Sequence, residues 1–161
     1  MNKQIPILYG DLLRSDEKVI AQGCNTRGIM GAGIAGQIAQ MYPLVLHANQ
    51  REVIAHRFVP GTAQMVVVNP KRTVFNLATQ EMLGPEARLP YIYLAFRNLA
   101  EQCVYADIHR VGIPQIGCGI GGQNWHDVER AIDLGLSEVR SRGHVLEVVC
   151  YIYDPKKAIP A

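Results

Sequence analysis

Two glycine-rich segments hold the residues best suited to chemistry in this chain. The first runs Asn25-Thr26-Arg27-Gly28-Ile29-Met30-Gly31-Ala32-Gly33-Ile34-Ala35-Gly36. The second is Ile116-Gly117-Cys118-Gly119-Ile120-Gly121-Gly122. Glycine lets backbone N–H groups turn toward one point and lets a ligand come close. A helix that starts at such a loop adds the positive end of its dipole. Together these make a seat for phosphate, and two such loops at one sheet edge suit a diphosphate.

Read literally, Gly31 to Gly36 is a G-x-G-x-x-G string. A nicotinamide-dinucleotide fold needs the first glycine tight against strand one. It also needs an acid about twenty positions on, at the end of a second strand. Here several residues separate the apolar run Val19–Cys24 from Gly31, the next stretch is helical in pattern, and its one nearby acid is Glu52. The dehydrogenase reading is set aside. Cys24, Cys103, Cys118 and Cys150 are far apart with no C-x-x-C pair, which fits reduced thiols rather than a zinc site. Cys118 sits inside the second loop without a visible base or partner for a nucleophilic thiol. His126 reads as a surface residue at a helix start, and Trp125 as packing for the loop. No metal and no cofactor are expected.

The elements that must hold these loops alternate between strand and helix patterns, which points to an α/β layered fold. Ile5–Tyr9 reads as a strand stopping at Gly10-Asp11, and Val19–Cys24 as a buried strand. A helix opens at Gly31-Ala32-Gly33 and is ended by Pro43. A second spans Leu44 to about His56, with Leu44, Val45, Ala48 and Val53 as its buried face. Gln64–Val68 and Thr73–Ala78 form a hairpin around Asn69-Pro70. Pro90 starts a helix over Tyr91–Tyr105, with Leu94, Phe96, Leu99 and Cys103 turned inward. His109–Ile116 is a strand. Asp127 to about Arg142 is a helix with Val128, Ile132, Gly135 and Val139 on one stripe, capped by Gly143. Val145–Tyr153 is a last strand. The pattern favours a mixed, mostly parallel sheet with helices on both faces, where ligands sit at the carboxyl ends of strands. Both glycine segments fall just after predicted strands.

At 161 residues, 48% of them apolar and 19% charged, the chain suits one globular domain over 1–161 with a full core. A net charge of +2 is too mild to make nucleic acid a main partner by charge alone. No apolar run reaches the ~20 residues of a membrane span, and the first residues lack a signal-peptide core. No membrane partner and a cytoplasmic location are expected.

Several strings, taken in order, resemble the macrodomains. They are Gly10-Asp11-Leu12, Gln22-Gly23-Cys24-Asn25, Met30-Gly31-Ala32-Gly33-Ile34-Ala35, and Pro114-Gln115-Ile116-Gly117-Cys118-Gly119-Ile120 with Trp125 beyond. The likeness is greatest to the branch of terminal ADP-ribose protein glycohydrolase and DNA ADP-ribosyl glycohydrolase. ADP-ribose-1″-phosphate phosphatase is a further relative. The resemblance implies a three-layer α/β/α macrodomain with a mixed, mostly parallel central sheet that binds ADP-ribose. Its partner would be ADP-ribose itself or an ADP-ribosylated protein, nucleic acid or small molecule. It implies that Asp11 accepts from the adenine amino group and that Leu12 adds a backbone contact. Asn25 would face the distal ribose, with Gln22, which stands where relatives often carry histidine, beside it. Met30, Gly31, Ala32, Gly33 and Ile34 would wrap the diphosphate and distal ribose. Ile116, Gly117, Cys118, Gly119, Ile120 and Gly121 would close over the other side, and Tyr153 would stack on adenine.

The same resemblance also implies two departures. Relatives in the hydrolytic branch use a lysine after a strand and an aspartate in the second loop. Those positions match Gln80 and Gly121 here. An amide is not a nucleophilic amine, and glycine carries no titrating group. The remaining catalytic candidates are Asn25 and Gln80, which could hold a water or a substrate carbonyl. Three functions stay open. One is a hydrolase that releases ADP-ribose by substrate-assisted or water-mediated chemistry. The others are a non-catalytic ADP-ribose reader and an ADP-ribose-1″-phosphate phosphatase.

Overall fold

The computed structural model describes residues 4–156. In chain order the strands are β1 (Ile7–Tyr9), β2 (Val19–Asn25), β3 (Ala63–Asn69), β4 (Arg72–Gln80), β5 (Arg110–Ile113) and β6 (Glu147–Ile152). The helices are α1 (Gly33–Met41), α2 (Pro43–Ile54), α3 (Leu89–Ala106) and α4 (Trp125–Ser141). A 3-10 turn spans Leu12–Arg14. The strands form one six-stranded sheet in the order β1-β6-β5-β2-β4-β3. Every pairing is parallel except the β3–β4 hairpin at one edge.

Side chains alternate across the sheet, so two apolar layers form. Ala21, Phe75, Leu77, Val111 and Ile113 face α3 and α4, joined by Phe96, Leu99, Val128 and Ile132. Ile20, Cys24, Val74, Val66 and Ala78 face the other way, onto Ile38 of α1 and Val45 of α2, with Leu12 and Leu13 of the 3-10 turn. The result is the expected three-layer α/β/α fold with a mixed, mostly parallel sheet.

Several local expectations shift. β5 stops at Ile113 rather than Ile116, because Pro114 has no N–H to give the ladder. Pro43 does divide the two helices, and it also opens the second one in its first turn. Leu44 is 44% exposed, while Val45 and Asn49, four apart, make the buried stripe of α2. Leu94 is likewise on the open side of α3. Both leucines lie one position off a stripe that periodicity alone places only to within a residue.

One ion pair with a buried carboxylate ties the sheet to the segment that follows the 3-10 turn. Glu17, only 8% exposed, receives Arg110 Nε at 2.7 Å and the Tyr151 hydroxyl at 2.8 Å. Burial pushes its carboxyl up. The hydrogen bonds from Arg110 and Tyr151 and the charges of Arg110 and Arg72 outweigh this, so the net shift is downward from 4.5. Its stabilisation is therefore present in full above pH 4.5 and lost as the pH falls below that value. Glu17→Gln should lower unfolding free energy by roughly 2 kcal/mol at neutral pH. It should also flatten the acid limb of stability against pH in urea titrations, which an equal loss at every pH would contradict.

Candidate functional site

Three chain segments meet beyond the carboxyl ends of β2, β4 and β5 and enclose a cleft of about 420 Å3. The first leaves β2 at Asn25. Its Oδ1 accepts from the Arg27 N–H at 2.9 Å, and its Nδ2 donates to the Ile29 carbonyl at 2.9 Å. This is an asparagine turn that folds the segment back on itself. The segment ends where Gly33 takes φ 58° and starts α1. Ala32, at the N-cap, offers no side-chain acceptor. The first-turn N–H groups of Gly33, Ile34 and Ala35 thus have no partner within the helix. All three residues line the cleft. The positive end of the α1 dipole adds to them.

The second segment follows β5. The Gly117 carbonyl accepts from the Gln123 N–H at 2.7 Å, and the Gly121 carbonyl accepts from the Ala87 N–H at 3.2 Å. The Gln123 side chain also donates to the Ala87 carbonyl, so this loop is sewn to the start of α3. It reaches across the cleft: Ile120 Cδ1 lies 3.9 Å from where a Cβ on Gly33 would stand.

The third segment joins β4 to α3 and contributes Thr79, Gln80, Leu83 and Gly84. Gln80 pairs in register with Asn25, so the two polar candidates stand side by side at the strand ends. The Gln80 amide nitrogen donates to the Met82 carbonyl at 2.6 Å and the Gly84 carbonyl at 3.1 Å. Both acceptors are carbonyls, which fixes the amide's orientation. Both N–H groups serve the loop, and Oε1 remains to accept.

Among the described residues lining the cleft none carries a charged side chain, and Cys24 alone has an ionisable group. Burial pushes that thiol up to about 12. Nothing lining the cleft titrates near neutral pH. An anion here would be held by backbone N–H groups and the helix dipole alone.

Of the residues singled out from sequence, Asn25, Met30, Gly31, Ala32, Gly33, Ile34, Gln80, Ile116, Gly117, Gly119, Ile120 and Gly121 all line the cleft. Gln22 does not, because its side chain is completely buried one layer below, bonded to Asn76. Cys118 packs against the core and donates to the Ile116 carbonyl. Burial also raises its thiol, which disfavours the thiolate needed for attack. Asp11 lies outside the lining and caps the 3-10 turn through the Leu13 N–H at 2.9 Å. The Leu12 side chain belongs to the core. Tyr153 stands 67% exposed just past β6. Trp125 packs against the core, and His126 is exposed in the first turn of α4.

The sequence reading missed Leu83, Gly84, Ile29 and Gln115 as walls of the cleft. The signal for Leu83 and Gly84 was available, since their segment also follows a parallel strand and strand ends are where ligands sit. Among the described residues, no cluster of three or more His, Cys, Asp or Glu could hold a metal. None of their helices is long and apolar enough to cross a membrane.

Residues 21–132 match the Macro domain family. The DNA ADP-ribosyl glycohydrolase of Mycobacterium tuberculosis is 32% identical over 129 residues, 76% of this chain and 36% of that protein. This chain therefore spans about a third of the length of that relative. The ADP-ribose 1″-phosphate phosphatase of Lodderomyces elongisporus is 27% identical over 126 residues, 71% of this chain and 79% of that one. Among solved structures, the macrodomain of Mycobacterium tuberculosis DarG aligns with a TM-score of 0.77 at 26% identity, covering 93% of this chain and 99% of that one.

Proposed function

Since the chain belongs to the Macro domain family and is related to DNA ADP-ribosyl glycohydrolases, we propose that it grips ADP-ribose between its two glycine loops and releases it from an ADP-ribosylated substrate. The observation that carries this reading is the uncapped N-terminus of α1 facing the second loop across an uncharged cleft. Such a seat fits a diphosphate, whose two charges would otherwise repel any acidic lining. Asp11, Leu12 and Tyr153 would serve the adenine end, as sequence likeness suggests.

Release of ADP-ribose breaks the bond at the anomeric carbon through a cationic, oxocarbenium-like state. The side chains near the Asn25–Gln80 pair are amides, so they can orient a water but not take its proton. Water forms the new C–O bond as the glycosidic bond breaks, and the water's proton, relayed past the substrate's own ionised diphosphate, ends on the departing group, so that free ADP-ribose and the unmodified acceptor result. Positioning then supplies the acceleration, with no acid or base from the protein. A flat rate from about pH 6 to 9 should follow, because no lining group titrates there. A bell-shaped profile would instead identify a protein acid or base.

The deciding experiment has two parts. Calorimetry with ADP-ribose should show one site. Product analysis should show free ADP-ribose from base-linked ADP-ribosylated DNA at high enzyme concentration. Binding without turnover on DNA-, protein- and RNA-linked substrates would make this a reader, the second outcome favoured by the amide at Gln80 and the missing carboxylate at Gly121. Phosphate release from ADP-ribose-1″-phosphate alone would make it a phosphatase. No binding of ADP-ribose would sink all three.

A further inference from the structure

One row of the layer beneath α1 and α2 is not apolar. Gln22 on β2, Asn76 on β4 and Gln64 on β3 stand in direct register across three strands. Gln22 and Asn76 are completely buried, and Asn49 of α2 joins them at 1% exposure. Gln64 Nε2 donates to the Ala48 carbonyl of α2 at 2.9 Å. That bond turns Gln64 Oε1 toward the other amides, where it accepts from Asn76 Nδ2 at 3.1 Å and Asn49 Nδ2 at 3.3 Å. Asn76 then presents its Oδ1, which accepts from Gln22 Nε2 at 2.9 Å. One helix carbonyl thereby fixes the orientation of the whole chain of amides.

Both ends of this ladder reach the first glycine loop. At one end Gln22 Nε2 lies 3.8 Å from Met30 Sδ, under a residue that lines the cleft. At the other, the turn of α2 docked through Ala48 and Asn49 carries Gln50, whose amide donates to the Gly28 carbonyl at 3.2 Å. The loop is thus held from below by Gln22 of the ladder and from the side by Gln50, the chain neighbour of the ladder's Asn49.

The network is not the most stable filling for this layer. Among the described residues, Gln22 Oε1 and Asn49 Oδ1 are buried without a hydrogen-bond partner. Unmet buried acceptors weaken a fold, whereas apolar replacement of both partners in a buried pair is often neutral or stabilising. Directional bonds do something an apolar layer cannot: they set the position of α2 and of the loop along the sheet.

We infer that the Gln22–Asn76–Gln64–Asn49 ladder is a positioning device that holds the Gly28–Met30 segment, and through it the N-terminus of α1, in the geometry that receives the diphosphate. The inference rests on the proposed ADP-ribose cleft. Gln22 acts as a positioning residue, since it is completely buried and lies outside the cleft lining.

The test replaces the whole ladder with apolar residues: Gln22→Met, Asn76→Leu, Gln64→Leu and Asn49→Leu in one variant. Thermal unfolding should keep or raise its midpoint. Its Kd for ADP-ribose should weaken about tenfold, and hydrogen exchange at amides 28–34 should quicken while the α3 and α4 amides stay protected. If that variant does not fold, Gln22→Met alone is used; it leaves Asn76 Oδ1 without the Gln22 donor, so its midpoint should fall, and weaker affinity with faster exchange confined to amides 28–34 is then the expected result. Unchanged affinity and unchanged loop exchange would overturn the inference. So would affinity and midpoint falling together with exchange faster everywhere, which marks a plain core defect. Failure of the wild type to bind ADP-ribose would refute the cleft reading instead. The loop-exchange comparison would still decide whether the ladder holds the loop.

Discussion

A Gly33→Val variant should lose ADP-ribose binding by roughly 100-fold, or about 2.8 kcal/mol, while remaining folded. Gly33 has φ 58°, in the left-handed region. A β-branched residue there carries strain of roughly 1–2 kcal/mol, or relaxes by swinging the start of α1 away from the cleft. Either way the N–H groups of Gly33 and Ile34 lose their aim. Hydrogen bonds to a charged group are worth about 1.5–3 kcal/mol each, so misaiming two of them accounts for the loss. The valine methyls would also grow into the gap below Ile120, whose Cδ1 is 3.9 Å from the Cβ position. Strain alone should lower the thermal midpoint by roughly 2–8 °C. Calorimetric titration alongside thermal unfolding separates the two effects. Wild-type affinity would mean the anion sits elsewhere.

Gly121→Asp should not create a working acid or base in the second loop. The Cβ of any side chain on Gly121 would lie 2.7 Å from the Gly117 carbonyl oxygen and 2.9 Å from Ala87 Cβ. One neighbour is backbone and the other is the residue that stitches this loop to α3. Neither can give way without opening the loop. Overpacking of this kind costs about 1–3 kcal/mol, which lowers the midpoint by roughly 2–12 °C. The carboxylate would also bring a negative charge to a diphosphate seat. We expect affinity for ADP-ribose to fall at least about tenfold, with no gain in ADP-ribose release. A variant of wild-type stability that turned over faster would show that the loop has room for the acid after all.

Much of the site was legible before folding was known, for a simple reason. Glycine segments directly after apolar strand-like runs can only be loops at strand ends, and in a parallel sheet those ends share an edge. The Asn25–Ile34 and Ile116–Gly121 segments therefore meet, as their composition implied. Residues outside these contiguous strings were harder. Leu83 and Gly84 carry no glycine-rich signature of their own. They become walls because Gln80 bonds Met82 and Gly84 back to the end of β4 and Ala87 ties their segment to the second loop.

The same contrast runs through the residue roles. Local sequence marked where two helices start, with Pro43 and Pro90 in their first turns. It also determined that positions 80 and 121 carry an amide and a glycine rather than titrating groups, since that depends only on residue identity. Tertiary structure decided depth. Strand period places Gln22 on a face but not beneath a loop, and only the packing of Met30 and Asn76 around it turned an expected contact into a buried support. It likewise decided that Gly121 has no space for a side chain, because the obstructing atoms belong to Gly117 and to Ala87, thirty-four positions back along the chain. A residue's type follows from the chain, but its neighbours across a sheet or loop are set by closure of the whole fold, which no local pattern records.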